Sequence, residues 1–238
     1  MCTVVIRVPE SADEPTRVLA VRDEDPARPW NPLGRWWPEA HHGVVGVRDV
    51  RAGGAWLAAD PAAGRLAVLL NRADVDMRPE SELVSRGGLV LDAVAGHLPG
   101  DEPPTHGFNL VEVDGGRTRV RMWDGESLRT VELAPGTHMI AHDDVDDPAT
   151  PRIARWLGEF QATPPAAEGK WWMPWVEVLA RSAELAPTDD DAIIRDNRPY
   201  GYPTLSLLAC VATVSAHDVD VHYGELAEPG RWGGLHLD

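Results

Sequence analysis

The sequence predicts an α+β fold built on mainly antiparallel sheets. Three observations carry this. Short β-branched runs bounded by turn residues recur along the chain, the first being Thr3-Val4-Val5-Ile6-Arg7-Val8. Two stretches with apolar residues at helical spacing, 148–160 and 171–185, stand side by side rather than alternating with strands. Strand signals then return at 205–214 and 219–223. Strands, then helices, then strands, without regular alternation, is the pattern of an α+β domain.

Each element has its own warrant. Residues 2–8 are apolar and β-branched and read as a buried strand; 9–16 hold two prolines and read as a turn; 17–21 read as the returning strand of a hairpin. That strand ends abruptly in charge, at Arg22-Asp23-Glu24-Asp25. Residues 26–38 carry four prolines and three tryptophans (Trp30, Trp36, Trp37) and read as an irregular loop. A short strand is expected at 44–50. Gly53-Gly54 turns into Ala55-Trp56-Leu57-Ala58, and a further strand over 65–70 ends at Asn71. The spacing of apolar residues predicts a helix over 89–97. Strands at 108–113 and 117–123 flank Gly115-Gly116, a hairpin signal. Strands follow at 128–133 and 138–141. The helix over 148–160 places Ile153, Trp156, Leu157 and Phe160 at i, i+3, i+4 and i+7. The helix over 171–185 carries Trp172, Trp175, Val176 and Leu179 on one face, so its tryptophans read as packing rather than a cofactor box. The acidic run Thr188 to Asp191 reads as a solvated loop.

Bulk properties narrow the function. With 238 residues the chain can bury a substantial core. Its 22 basic and 38 acidic residues leave a net charge of −16, which repels phosphate backbones and argues against nucleic acid as a partner. All but one of the basic residues, Lys170, are arginine, the usage of a GC-rich genome. The two cysteines, Cys2 and Cys210, form neither a disulfide scaffold nor a metal-type spacing. Cys210 lies in an apolar run and reads as a buried strand cysteine; pairing with Cys2 stays open at this level. There is no basic-then-apolar leader and no apolar stretch long enough to cross a bilayer, so a soluble, cytoplasmic protein is expected. The pair His41-His42 and the acidic run from His142 to Asp147 lack the spacing of a metal site, and no metal is expected.

The chemically distinctive feature is Cys2. Removal of Met1 would leave a thiol and a free α-amino group on one residue. An α-amine has a pKa of about 7.7–8.0, so it can take the thiol's proton near neutrality. Other ordered motifs surround it: Leu19-Ala20-Val21-Arg22-Asp23-Glu24 with Arg28-Pro29, then Gly53-Gly54-Ala55-Trp56-Leu57, then Leu69-Leu70-Asn71. Weaker ones follow in Phe108-Asn109-Leu110, Pro135-Gly136, Asp146-Asp147-Pro148 and Tyr200-Gly201.

In these motifs the chain resembles the NRDE family, which includes transport and Golgi organisation protein 2-like proteins. That family is in turn similar to the N-terminal nucleophile hydrolases of the choloylglycine hydrolase and penicillin V acylase group. The resemblance implies an αββα sandwich, two mainly antiparallel sheets between helix layers, formed by residues 1–238 as a single domain. It implies Cys2 as nucleophile, Arg22 as a cation favouring thiolate, Asp23 as the holder of the α-amine, and Asn71 as an oxyanion donor. The sequence departs from the family in places. Val21 replaces an Asn. Ala141-His142 replaces a Ser-Asn strand end, which makes His142 a candidate oxyanion donor or proton acceptor. Tyr200-Gly201-Tyr202-Pro203 lacks the arginine that acylase relatives place there.

Two functions are therefore expected to compete. One is an N-terminal-cysteine hydrolase or acyltransferase acting on the amide, ester or thioester of a small acyl substrate, with no required cofactor. The other is a non-catalytic protein that binds and traffics haem, acyl-coenzyme A or lipid on the same fold, with the tryptophan-rich loop as an apolar groove. A third option is a degenerate paralogue kept for protein interactions. The sequence leaves the oligomeric state open.

Overall fold

The computed structural model describes residues 2–11, 13–75, 78–166 and 169–238. Met1, whose removal the cysteine chemistry requires, and Ala12, within the first expected turn, lie outside the described residues. The strands form two antiparallel sheets. The first has five: β1 (Thr3–Val8), β2 (Thr16–Glu24), β10 (Gly136–Ile140), β11 (Leu205–Val214) and β12 (Val219–Glu225), in the order β10-β1-β2-β11-β12. The second has seven in simple succession: β3 (Trp30–Gly34), β4 (Val45–Asp49), β5 (Ala55–Asp60), β6 (Arg65–Asn71), β7 (Phe108–Asp114), β8 (Arg117–Trp123) and β9 (Leu128–Glu132). Three helices complete the fold: α1 (Gly87–Val94), α2 (Pro151–Ala162) and α3 (Met173–Ser182).

The layers follow from the period-2 alternation of strand side chains. Val4, Ile6 and Val8 of β1, with Val18 and Ala20 of β2, pack against Leu57, Ala59, Leu66, Val68 and Leu70 of the seven-stranded sheet, forming the central core. The intervening residues Val5, Leu19 and Val21 face the other way, against Ile153, Trp156 and Phe160 of α2 and Trp175 and Leu179 of α3. On the far side, Ala67, Leu69, Phe108 and Leu110 pack against Val90, Leu91 and Val94 of α1. The order is helices, sheet, sheet, helix, so the αββα sandwich is observed. The helix tryptophans are core: Trp171 and Trp175 meet edge to face with ring centroids 5.5 Å apart.

Most expected strands fall within a few residues of their positions. Gly115 and Gly116 both have positive φ (56° and 84°), as a two-residue turn between twisted strands requires. The segment 26–38 departs from expectation. It contains β3, which pairs with β4. Pro32 is tolerated there because β3 is the edge of its sheet, where a missing N–H breaks no ladder. Helix α2 begins at Pro151 rather than 148, with proline in the first turn where its absent N–H costs nothing. Helix α1 starts at Gly87, two residues before the expected 89.

That early start has a steric cause. The backbones of Gly54 and Gly87 touch: a Cβ built on Gly54 would lie 2.6 Å from the Gly87 Cα. The glycine of the Gly53-Gly54 pair thus lets α1 settle onto the start of β5. Gly54→Ala is expected to push α1 outward and to destabilise the protein by about 1–3 kcal/mol, the usual cost of overpacking, as measured by urea unfolding.

Candidate functional site

The N-terminus positions the site. β1 pairs with β2 in a register that sets Thr3 against Val21. One further step along the same ladder brings Cys2 opposite Arg22, and the Cys2 Sγ lies 3.7 Å from the Asp23 carbonyl oxygen. Alternation turns Cys2 and Arg22 toward the space between the sheets, with Val4 and Ala20. There the end of the sandwich opens into a cavity of about 360 Å³ lined by Cys2, Arg22, Asp23 and Asn71. Four of the five residues singled out from sequence are therefore brought together. The fifth, His142, is not on the cavity lining. It follows β10, with its Nε2 3.2 Å from Asp143 Oδ2, and burial together with the Arg152 guanidinium lowers its pKa.

Arg22 and Asp23 are buried, with 2% and 4% of their surface exposed, rather than a solvated ion pair. Arg22 Nη2 reaches Glu24 Oε2 at 3.4 Å. Asp23 Oδ1 accepts a 2.6 Å hydrogen bond from Ser206 Oγ, and that hydroxyl in turn accepts from the Arg195 backbone N–H at 2.8 Å. A β-bulge between Ser206 and Leu208 lets β11 present the hydroxyl there. Behind Thr3, Arg152 of α2 donates from Nη1 to Thr3 Oγ1 at 3.1 Å. Burial pulls the Arg152 pKa down to about 10, with the Asp23 carboxylate opposing, so the guanidinium stays charged at neutral pH.

Cys2 itself behaves otherwise than the flanking cation implied. Burial raises its thiol pKa and the Asp23 carboxylate adds to this; the N-terminal amine and, less strongly, Arg22 pull the other way but do not prevail. With Met1 in place the fold thus favours the thiol over the thiolate. Asn71, the last residue of β6, is exposed, and among the described residues its side-chain amide has no hydrogen-bond partner. Cys210 lies in β11 in the central core, and both cysteines are free.

The remainder of the lining is mixed, with charged side chains beside Ala55, Trp56, Leu69, Leu83 and Val84. Arg28 Nε bonds Asp49 Oδ2 at 2.5 Å, and His106 bonds Asp74 through Nδ1 (2.6 Å) and Glu80 through Nε2 (3.0 Å). Arg86, just before α1, donates from Nη1 to the Gly107 carbonyl at 2.7 Å. The tryptophans of 26–38 are not on this lining. Trp30 and Trp37 are instead tied by their ring N–H groups to the Tyr223 hydroxyl and the Gly53 carbonyl. The acidic run after His142 is used internally. Asp144 is clamped by Arg129 and Arg72, which hold its pKa down to about 2, and Asp146 bonds His138 at 2.6 Å. Asn109 is also structural: its amide donates to the Ala141 and Asp143 carbonyls, joining the two sheets at this end. Among the described residues no group of three or more His, Cys, Asp or Glu side chains is arranged to hold a metal, and no helix is long and apolar enough to cross a membrane.

Sequence reasoning missed Arg86, Arg152 and Ser206. Each is a lone polar residue whose place at the site depends on how distant elements pack. An arginine on the helix face that also carries the buried Ile153, Trp156 and Phe160 was the one available signal for Arg152.

Fold and site define a two-sheet α+β sandwich with a buried second-position cysteine on the lining of a cavity of mixed polar and apolar surface. The family model described as Transport and Golgi organisation 2 matches residues 1–168, and the chain belongs to that family, which is the NRDE family. No curated protein matches the chain.

Two measurements check this geometry. The Asp74 hydrogen bond raises the His106 pKa, so the protonated form is favoured by the fold. Its stabilising contribution is complete below about pH 6.5 and is lost as pH rises through the raised value. NMR titration of the His106 ring is expected to show a midpoint above that of a free histidine, moving back toward it in Asp74→Asn. Separately, Ser206→Ala removes a donor from Asp23 and an acceptor from the Arg195 N–H. Loss of these buried partners is expected to cost about 1–3 kcal/mol in chemical denaturation.

Proposed function

We propose that the protein is an N-terminal-cysteine acyl-transfer enzyme that cleaves or exchanges the amide, ester or thioester of a small acyl substrate. The observation that carries this reading is the convergence of Cys2, Arg22, Asp23 and Asn71 on one cavity. The cavity's volume is at the small end of the range for ligand pockets, which suits a small acyl group.

The chemistry balances without a cofactor. After Met1 is removed, the Cys2 thiol passes its proton to its own α-amine, directly or through a water, as the sulfur attacks the acyl carbonyl carbon. The Asn71 amide donates to the resulting oxyanion. The intermediate collapses with loss of the amine, alcohol or thiol, which leaves with the proton from the ammonium. Water, or a second amine, then attacks the thioester and restores the thiol. Asp23 keeps the α-amine in place, and Arg22 moderates the cost of negative charge on the sulfur. Burial raises the thiol pKa, which makes a base beside the sulfur valuable to this chemistry.

An apolar groove for haem or lipid finds less support. The tryptophans of 26–38 are not on the cavity lining, where Trp30 instead backs the Arg22 guanidinium with its ring centroid 5.9 Å away, and the lining includes Arg28, Arg51, Glu80 and Arg86.

Incubation with an electrophilic acyl donor, followed by intact mass and peptide mapping, tests the proposal. One adduct is expected, at Cys2, in Met1-trimmed protein, and none in Cys2→Ala. Adduct confined to Cys210, or absent from trimmed protein, overturns the reading. The acylation rate is expected to rise with pH through the ionisation of the α-amine, near 7.7–8.0 before any tuning by the site. Asn71→Ala is expected to slow turnover by roughly 10²–10³-fold, the usual effect of losing one oxyanion donor.

A further inference from the structure

We infer that the acyl donor carries a carboxylate, held by Arg86 in the same cavity as Cys2; this rests on the reading of that cavity as a substrate site. The argument is an imbalance of hydrogen-bond donors over acceptors. Several residues on the lining have donors without partners among the described residues. The Arg22 Nη1 and Trp56 Nε1 atoms are shielded from solvent and have no acceptor among the described residues, although their residues are 98% and 94% buried. Buried donors are almost always paired, so two orphans on residues that line one cavity leave it with a surplus of donors, although both atoms lie behind its accessible surface. Arg86 adds the charge. Its one hydrogen bond is to a neutral carbonyl, and among the described residues it forms no ion pair. Arg51, exposed on the same lining, has none either.

These unpaired cations are not explained by any shortage of acids. The chain has 38 acidic residues against 22 basic ones. The acids that line the cavity are already engaged: Glu24 with Arg22, Asp49 with Arg28 and with the Ala52 N–H, Asp23 with Ser206, and Glu80 with His106. What remains is a guanidinium fork, half-buried, on a wall shared with the nucleophile. A planar carboxylate matches that fork with two parallel hydrogen bonds. The surrounding carboxylates select a monoanion, because a phosphate dianion would meet Glu24, Asp49 and Glu80 with twice the repulsion.

The test is equilibrium binding to Cys2→Ala, which cannot react, so its outcome is independent of whether Cys2 is a nucleophile. The probes are succinamate, glutaramate and adipamate, each paired with the amide in which a methyl group replaces the carboxylate. Calorimetric or NMR titration at matched ionic strength is expected to show at least one carboxylate binding tenfold or more tightly than its methyl partner. Adding Arg86→Gln to Cys2→Ala is expected to abolish the discrimination. Adding Arg86→Lys, which keeps the charge but loses the fork, should retain only part of it. Inorganic phosphate should compete weakly. Equal binding of carboxylate and methyl probes across the series, or discrimination that survives Arg86→Gln in a folded protein, overturns the inference. Phosphate binding tighter than every carboxylate does so as well. If the Cys2 adduct experiment fails while this one succeeds, the cavity is an anion-binding site without acyl transfer.

Discussion

The antiparallel register between β1 and β2 is the constraint on which the site depends. Strand side chains alternate with a period of two, so slipping this pairing by one residue would turn Cys2 and Arg22 away from the inter-sheet space. The register is held by the central core itself. Val4, Ile6 and Val8 have somewhere apolar to go on only one face, and Val5, Leu19 and Val21 are claimed with equal firmness by α2 and α3 on the other. The placement of Cys2 is thus a by-product of packing on both sides of one sheet.

The same arrangement explains how so much charge survives inside the fold. Asp23, Arg22, Arg152 and Arg195 are all nearly inaccessible. Isolated, each would be expensive to bury, and a buried charge persists only with partners of good geometry. Ser206 supplies part of this for Asp23, and the carbonyls of Asp189 and Asp190 supply it for Arg195. The acidic run before Ala192 is therefore not merely solvated: its backbone carbonyls and the Asp190 carboxylate together seat a buried guanidinium. The result is a layer of hydrogen-bonded charge behind a thiol whose pKa burial raises.

Legibility in the sequence followed how local each determinant was. β-Branched runs, the Gly115-Gly116 turn and the periodicity of Ile153, Trp156 and Phe160 are short-range signals, and the structure places strands, hairpin and helix there. Cys2, Arg22, Asp23 and Asn71 could be singled out because they sit at strand ends in an ordered series. β3 was hidden because Trp30-Asn31-Pro32 has the composition of a loop, and only its position at a sheet edge makes proline tolerable. His142 was placed by analogy with a strand end, but the turn after β10, pinned by Asn109 and by the Asp144 clamp, holds it off the cavity lining. Arg86, Arg152 and Ser206 were invisible because their importance arises from contacts with residues tens to more than a hundred positions away.

The central position of β11 has a consequence for how the chain reaches this state. β11 lies beyond residues 1–168, yet it is the neighbour of β2 in the middle of the five-stranded sheet. During synthesis β2 must wait for nearly two hundred further residues before its second edge is covered. Until then an apolar ribbon with unpaired N–H and C=O groups is open to other chains. The seven-stranded sheet, a run of neighbour-to-neighbour hairpins, has no such delay. Assembly from that meander inward would leave the cysteine's surroundings as the last part of the molecule to solidify.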